Sequence, residues 1–297
     1  MRIVHTAEFN VGVLRDDGVV DVSSVFEDIP YRSAVDLMPK VMGLLAERRD
    51  QIEKVAASAD VAGQATILAP VPRPPKLIAA FRNYMEGVQR EERRAQDLFL
   101  ESPDSVLQPN GTVVLPPHPA TVFHHEAELG FVIGKRCKDL PADESAYDVL
   151  AGYTCAMDVS GRGIGRMGPS RIGKSFDTFT PLGPAVVSHD EIGDPQNLEI
   201  KLTVNDEVRQ IYNTSDMEYS VIETLAFLTS YMTLVPGDVV MLGTNHQGLG
   251  PLQHGDHAKM EIEKVGTLEV DVEDEQRRSW PYEVDQQFAA RARGATA

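Results

Sequence analysis

The sequence predicts an α+β protein built around packed or rolled β-sheets, and three observations carry that expectation. Short β-rich runs dominate between Thr112 and about Val272, broken by Gly, Pro and Asn-Asp turns. One strong helical stretch, DMEYSVIETLAFLTSYM, interrupts them. No regular alternation of strand and helix runs along the chain, which argues against a doubly wound parallel sheet.

Taken in order, the elements begin with apolar/polar alternation on both sides of Asp16-Asp17-Gly18, the pattern of a hairpin turn between strands. From Pro39 to about Ala57, Val41, Leu44, Leu45, Ile52 and Val55 recur at helical spacing and predict one amphipathic helix. The run APVPRPPK, Ala69 to Lys76, holds four prolines and breaks any helix. It is read as a boundary, giving a small β-rich N-terminal domain over 1–70 and a main domain over 71–280. The next stretch, NYMEGVQREERRAQDLFL, is dense in charge and helix-forming residues, with Gly87 weakening its first turn, and is expected as a mobile lid. Strands are then expected at TVVLP, FHHEAELGFVIG, YTCAMDVS, PAVVS, LEIKLTVN, VVMLGT and KMEIEKVGTLEVDVE. The tail over 281–297 is expected to be loosely ordered.

Composition narrows the function. The 297 residues, 42% of them hydrophobic, can fill a sizeable core, and the net charge of −17 opposes the phosphates of nucleic acid and the anionic face of membranes. Neither partner is expected. No apolar run approaches the roughly 20 residues that span a bilayer, and MRIVHTAEFN shows no signal-peptide core, so a cytoplasmic protein is expected. Cys137 and Cys155 are too few for a disulfide framework and read as reduced thiols.

Two phosphate-loop patterns are refused. Gly168 to Ser175 fits GxxxxGK[ST], and Gly163-Ile-Gly165-Arg-Met-Gly168 fits GxGxxG. Both motifs need a helix leading out, whose N-terminal amides hold the phosphates. The exit here, SFDTFTPLGP, carries Pro181 and Pro184 and cannot form one.

The chemistry is concentrated in FHHEAELGFVIGK. Side chains at i and i+2 of a strand share a face, which puts Glu126 beside Glu128 and, if the strand extends so far, His124. Leu129, Phe131 and Ile133 face the other way with His125. Two like charges this close and partly buried raise one another's pKa unless a cation lies between them. Asp158, ending the strand-like AGYTCAMD, offers a third oxygen donor, and carboxylates without paired Cys or His suit Mg²⁺ or Mn²⁺. The competing reading places both glutamates on a solvated face, with Asp158 starting a turn. A zinc-protease HExxH is excluded, because its second His position holds Leu129.

The order of motifs decides between these readings. HHEAELGFVIGK, AGYTCAMDVSGR, GKSFDTFTPLGP, LTVNDEVRQ with NTSDM, and LVPGDVVMLGT follow one another with short gaps. This series resembles the fumarylacetoacetate hydrolase family over about Leu77 to Val272, most closely its small acylpyruvate hydrolase, decarboxylase and isomerase branch. The resemblance implies a mixed β-roll, a homodimer, and Mg²⁺ or Mn²⁺ held by Glu126, Glu128 and Asp158. It implies further that Lys174 adds positive charge beside the substrate oxygen or binds the carboxylate, that Thr244 meets the substrate carboxylate, and that Tyr84 lies in the substrate-binding segment. Arg162 stands open between a second anion contact and a structural ion pair.

Departures from the family pattern bear on the base. The His expected after Asn83-Tyr84 is missing, Gly87 following Glu86. The usual lid Lys is replaced by Glu101, a Gln by Gly165, and the Pro of Gly-Thr-Pro by Asn245 before His246. Water activation must then come from His246, from Glu86, Glu91 or Glu92, or from His124. The expected activity is metal-dependent hydrolysis of a carbon–carbon bond in a small 2-oxo or β-dicarbonyl acid. An isomerase, hydratase or decarboxylase on the same site and a non-catalytic metal-binding protein are the alternatives.

Overall fold

The computed structural model describes all residues except 9, 63–64, 89, 165–170 and 293–297, and the side chain of 292. Its centre is a mixed sheet running Gly18–Asp21, Asn10–Arg15, Arg2–Thr6, Thr180–Val187, Leu150–Met157, Ala127–Ile133, Val239–Met241, Leu77–Ala80 and Leu98–Glu101. Ile67–Leu68 pairs with Arg2–Thr6, and Val106–Leu107 with Thr180–Val187. Neighbours are antiparallel except where Val239–Met241 meets Leu77–Ala80 and Thr180–Val187 meets Val106–Leu107. A second sheet runs Glu207–Asn213, Glu199–Val204, His257–Ile262, Gly266–Glu273 and Thr112–Val114.

Alternation along the central strand sorts the core into two layers. Leu129, Phe131 and Ile133 pack with Ile200, Leu202, Met260 and Leu268 of the second sheet. Val132 points the opposite way and packs with Leu37, Met38 and Val41 of a helix. The large sheet is therefore covered by a sheet on one face and helices on the other, as a two-faced apolar strand requires. The hairpin at 16–17 forms as expected, with Arg15 opposite Gly18.

Three local expectations are corrected. The single helix over 39–57 is two, Ala34–Leu44 and Arg49–Ser58. Arg48 holds the turn between them by gripping Asp28 at 2.5 and 2.8 Å and the Val25 carbonyl at 2.6 Å. The charged stretch after Asn83 forms no helix among its described residues. The Met85 and Glu86 amides donate to Asp216 rather than up a helical ladder, both at 2.9 Å, while Arg94 binds Glu218 at 2.6 Å and Arg93 binds Glu223 at 2.7 Å. The tail contains a helix, Gln286–Ala292. The expected helix at 216–232 is present as Val221–Tyr231, closed by a capping box in which Ser220 and Glu223 each accept the other's backbone N–H.

The residues following Lys174 turn into the strand Thr180–Val187 with no intervening helix, in keeping with refusal of the phosphate-loop patterns. Gly165 and Gly168 lie outside the described residues. No described helix is long and apolar enough to cross a membrane.

Candidate metal and substrate site

At the start of Ala127–Ile133 the face that carries Val132 further along presents Glu126 and Glu128. The antiparallel register sets Glu128 opposite Ala156, and the Asp158 amide donates to the Glu126 carbonyl at 2.9 Å. Asp158 consequently falls on the same face. All three acids are buried, and one oxygen from each lies within 4.8 Å of those of the other two.

Cations and amides surround this triad. Lys174 Nζ donates to Glu126 Oε2 at 2.7 Å and also to Asp158 Oδ2, and Arg162 donates to Glu126 Oε1. Glu128 Oε2 accepts the Gly243 amide at 2.7 Å. Gly243 has a φ of +83°, a conformation glycine adopts without strain. Burial alone would push Glu126 up, but the charges of Lys174 and Arg162 overcome it and hold that carboxyl well below its usual range. Glu128 goes the other way: burial raises it, and the charge of Asp158 adds to the effect. Burial also raises Asp158, against the opposing charge of Lys174. Two raised carboxyls and a buried Asp158 Oδ1 without a hydrogen-bond partner among the described residues make a donor set short of positive charge. All-oxygen donors of this kind fit a hard dication.

Glu101, the last residue of its strand, is a fourth buried carboxyl. Neither of its oxygens has a hydrogen-bond partner among the described residues, and burial followed by the Asp158 charge pushes it well above its usual range. The sequence marked Glu101 only as a departure from a family pattern and gave no sign of its isolation.

The base candidates separate clearly. Glu91 and Glu92 are exposed. Glu86 and His246 are both buried and meet, with His246 Nδ1 and the His246 amide 2.5 and 3.2 Å from Glu86 Oε1. Glu86 has a φ of +58°, uncommon for a residue with a side chain, and its amide is pinned by Asp216. His124 is buried, accepts Arg162 Nε–H at Nδ1 at 3.2 Å, and is held neutral by burial and then by the Arg162 charge.

The remaining named residues are Thr244 and Tyr84. Thr244 Oγ1 accepts Gln210 Nε2–H at 2.8 Å and lies 3.3 Å from the Tyr212 hydroxyl. Gln210 Oε1 in turn faces His125 Nδ1 at 3.1 Å and accepts the Ala127 amide at 3.2 Å, locking the start of the acidic strand to the Thr244 loop. Tyr84 is fully buried, with its ring set edge-on to that of Tyr212 at a centroid separation of 5.0 Å. The structure thus brings Glu126, Glu128, Asp158, Lys174 and Arg162 into one cluster and joins Glu86 to His246. It brings Tyr84 and Thr244 each against Tyr212.

Comparison with known proteins agrees with this architecture. Residues 76–273 match the family model described as fumarylacetoacetate (FAA) hydrolase C-terminal. Maleylpyruvate hydrolase of Aquipseudomonas alcaligenes is 34% identical over 91% of this chain and 98% of its own length. The mitochondrial oxaloacetate tautomerase Fahd2a of Rattus norvegicus is 37% identical over 78% of this chain and 79% of its own. Among solved structures, maleylpyruvate hydrolase from Sphingobium sp. SYK-6 in complex with manganese (II) ion and pyruvate superposes with a TM-score of 0.82 at 32% identity, covering 92% of this chain and 99% of that one. The chain belongs to the fumarylacetoacetate hydrolase family, whose members similar to it include hydrolases, tautomerases and isomerases.

Proposed function

We propose that this protein hydrolyses a carbon–carbon bond in a small acylpyruvate-type acid, with Glu126, Glu128 and Asp158 holding Mg²⁺ or Mn²⁺. The observation that carries the reading is the buried Glu86–His246 pair, whose histidine lies three residues after Gly243, the residue whose amide binds Glu128. When bound, the dication polarises the 2-oxo group and stabilises negative charge on its oxygen. The manganese and pyruvate of the Sphingobium structure support this assignment of head group and ion.

Each side chain then has a task. Glu86 Oε1 takes the proton-bearing Nδ1 of His246, leaving Nε2 with a free lone pair to remove a proton from water. The oxygen of that water attacks the acyl carbonyl, and the bond between the acyl carbon and C3 of the pyruvyl unit breaks with its electron pair going to C3. His246 returns the proton to C3, releasing a carboxylic acid and pyruvate. Lys174 supplies positive charge against the carboxylates and the developing oxyanion. Arg162 neutralises Glu126, and the Thr244 hydroxyl binds the substrate carboxylate.

A second reading, keto–enol tautomerisation or isomerisation at the same head group, draws support from the tautomerase and isomerase relatives. It needs His246 to move a proton and no water to attack. Product analysis with Mn²⁺-loaded protein and acetylpyruvate tests the choice. Acetate plus pyruvate supports hydrolysis; an unchanged mass with a shifted enol absorbance would replace it with tautomerisation.

A further inference from the structure

The C-terminal helix lies beyond the region matched by the family model, yet one of its side chains touches three of the proposed site residues. The Phe288 ring centroid is 4.2 Å from the guanidinium carbon of Arg162, 5.2 Å from the His124 ring and 5.8 Å from the His246 ring. A seven-residue helix does not persist alone in water, so packing must hold this one in place.

That packing is specific. The Asp285 amide donates to the Leu249 carbonyl at 2.8 Å, and Asp285 Oδ1 accepts the Phe288 amide at 2.8 Å as a helix cap. Asp285 Oδ2 lies 3.5 Å from His124 Nε2, and Ala289 is fully buried. Phe288 is thereby fixed over one face of Arg162, whose edge is already committed to Glu126 and His124. A phenyl ring offers no hydrogen bond, so a substrate group reaching past Arg162 toward His246 meets an apolar surface of fixed position there.

We propose that Phe288 is a specificity-determining residue, the apolar wall that meets the acyl tail of the 2-oxo acid and limits its bulk. The inference rests on the oxo-acid reading of the site. It adds a contribution from a segment that the family match does not include.

The test uses the full-length Mn²⁺-loaded protein and two unreactive probes, oxalate for the head group alone and N-phenyloxamate for the head group with a bulky tail. Binding is measured by calorimetry for wild type, Phe288→Leu and Phe288→Ala, with thermal unfolding of each as a check on folding. The affinity of N-phenyloxamate relative to oxalate should rise about tenfold or more in Phe288→Ala, with Phe288→Leu between, in line with what one apolar contact contributes to discrimination. A ratio unchanged within about twofold while oxalate binds, or affinities that fall together, would overturn the wall. Failure of oxalate to bind the wild type would instead overturn the oxo-acid reading, and the wall with it.

Discussion

His246 Nδ1 sits 2.5 Å from Glu86 Oε1, joining residues 160 positions apart in the chain into one buried pair. The contact is braced from both sides, because Gln247 Nε2 donates to the Glu86 carbonyl at 2.7 Å and Asp216 holds the Glu86 amide. Such a carboxylate fixes the imidazole tautomer and stabilises the imidazolium that forms when a proton is taken. Glu86→Gln should lower kcat by about 10²- to 10⁴-fold while leaving Mn²⁺ affinity within about threefold. Steady-state kinetics and calorimetry measure the two quantities; a variant turning over at the wild-type rate would remove the pair from catalysis.

Lys174 lies between two acids proposed as metal ligands, which sets two consequences against each other. Replacing it with Met leaves buried carboxylates without their cation, and the metal-free protein should lose about 3–5 kcal/mol of stability. The same loss makes the site more negative, so saturating Mn²⁺ should raise the Tm of Lys174→Met by more than it raises that of the wild type. A smaller rise would show that Lys174 assists metal binding rather than opposing it.

His5 gives the fold a pH dependence away from the site. It is buried in Arg2–Thr6 with Nδ1 3.1 Å from the Ala69 carbonyl, and burial lowers its pKa below the ordinary 6.5 despite that hydrogen bond. The unfolded chain therefore takes up a proton below about pH 6.5 that the folded chain refuses, and stability present above that pH is lost as the pH falls. Urea unfolding at pH 7.5 and 5.5 should show a smaller acid loss for His5→Gln than for the wild type. Equal losses would contradict the assignment.

The helix Val221–Tyr231 depends on its N-terminal box. Ser220 Oγ accepts the Glu223 amide at 3.2 Å, and Glu223 Oε2 accepts the Ser220 amide at 2.8 Å. Glu223 also binds Arg93 and so ties the chain after Asn83 to the helix. Ser220→Ala should cost about 1 kcal/mol in urea unfolding, and an undiminished midpoint would show that tertiary packing alone fixes the helix start.

The sequence made the sheets legible because strand alternation depends on neighbours two apart. Leu129, Phe131 and Ile133 separated from Glu126, Glu128 and Val132 by that rule, and the structure sorts them in the same way. Glu86 and His246 were each legible as base candidates, but their pairing was not, since it arises from the chain fold rather than from spacing. The stretch after Asn83 misled because helix-forming Arg93 and Arg94 spend their side chains on Glu218 and Glu223 instead. Phe288 escaped notice because a seven-residue helix carries too few turns to display a period, and its importance comes only from what it touches.

Anomalous diffraction from crystals grown with Mn²⁺ and oxalate tests the central claim most directly. A single strong peak bounded by carboxylate oxygens of Glu126, Glu128 and Asp158, with oxalate completing its shell, is the expected result. A map without a peak among those acids at saturating Mn²⁺, or with the ion bound elsewhere, would contradict the account.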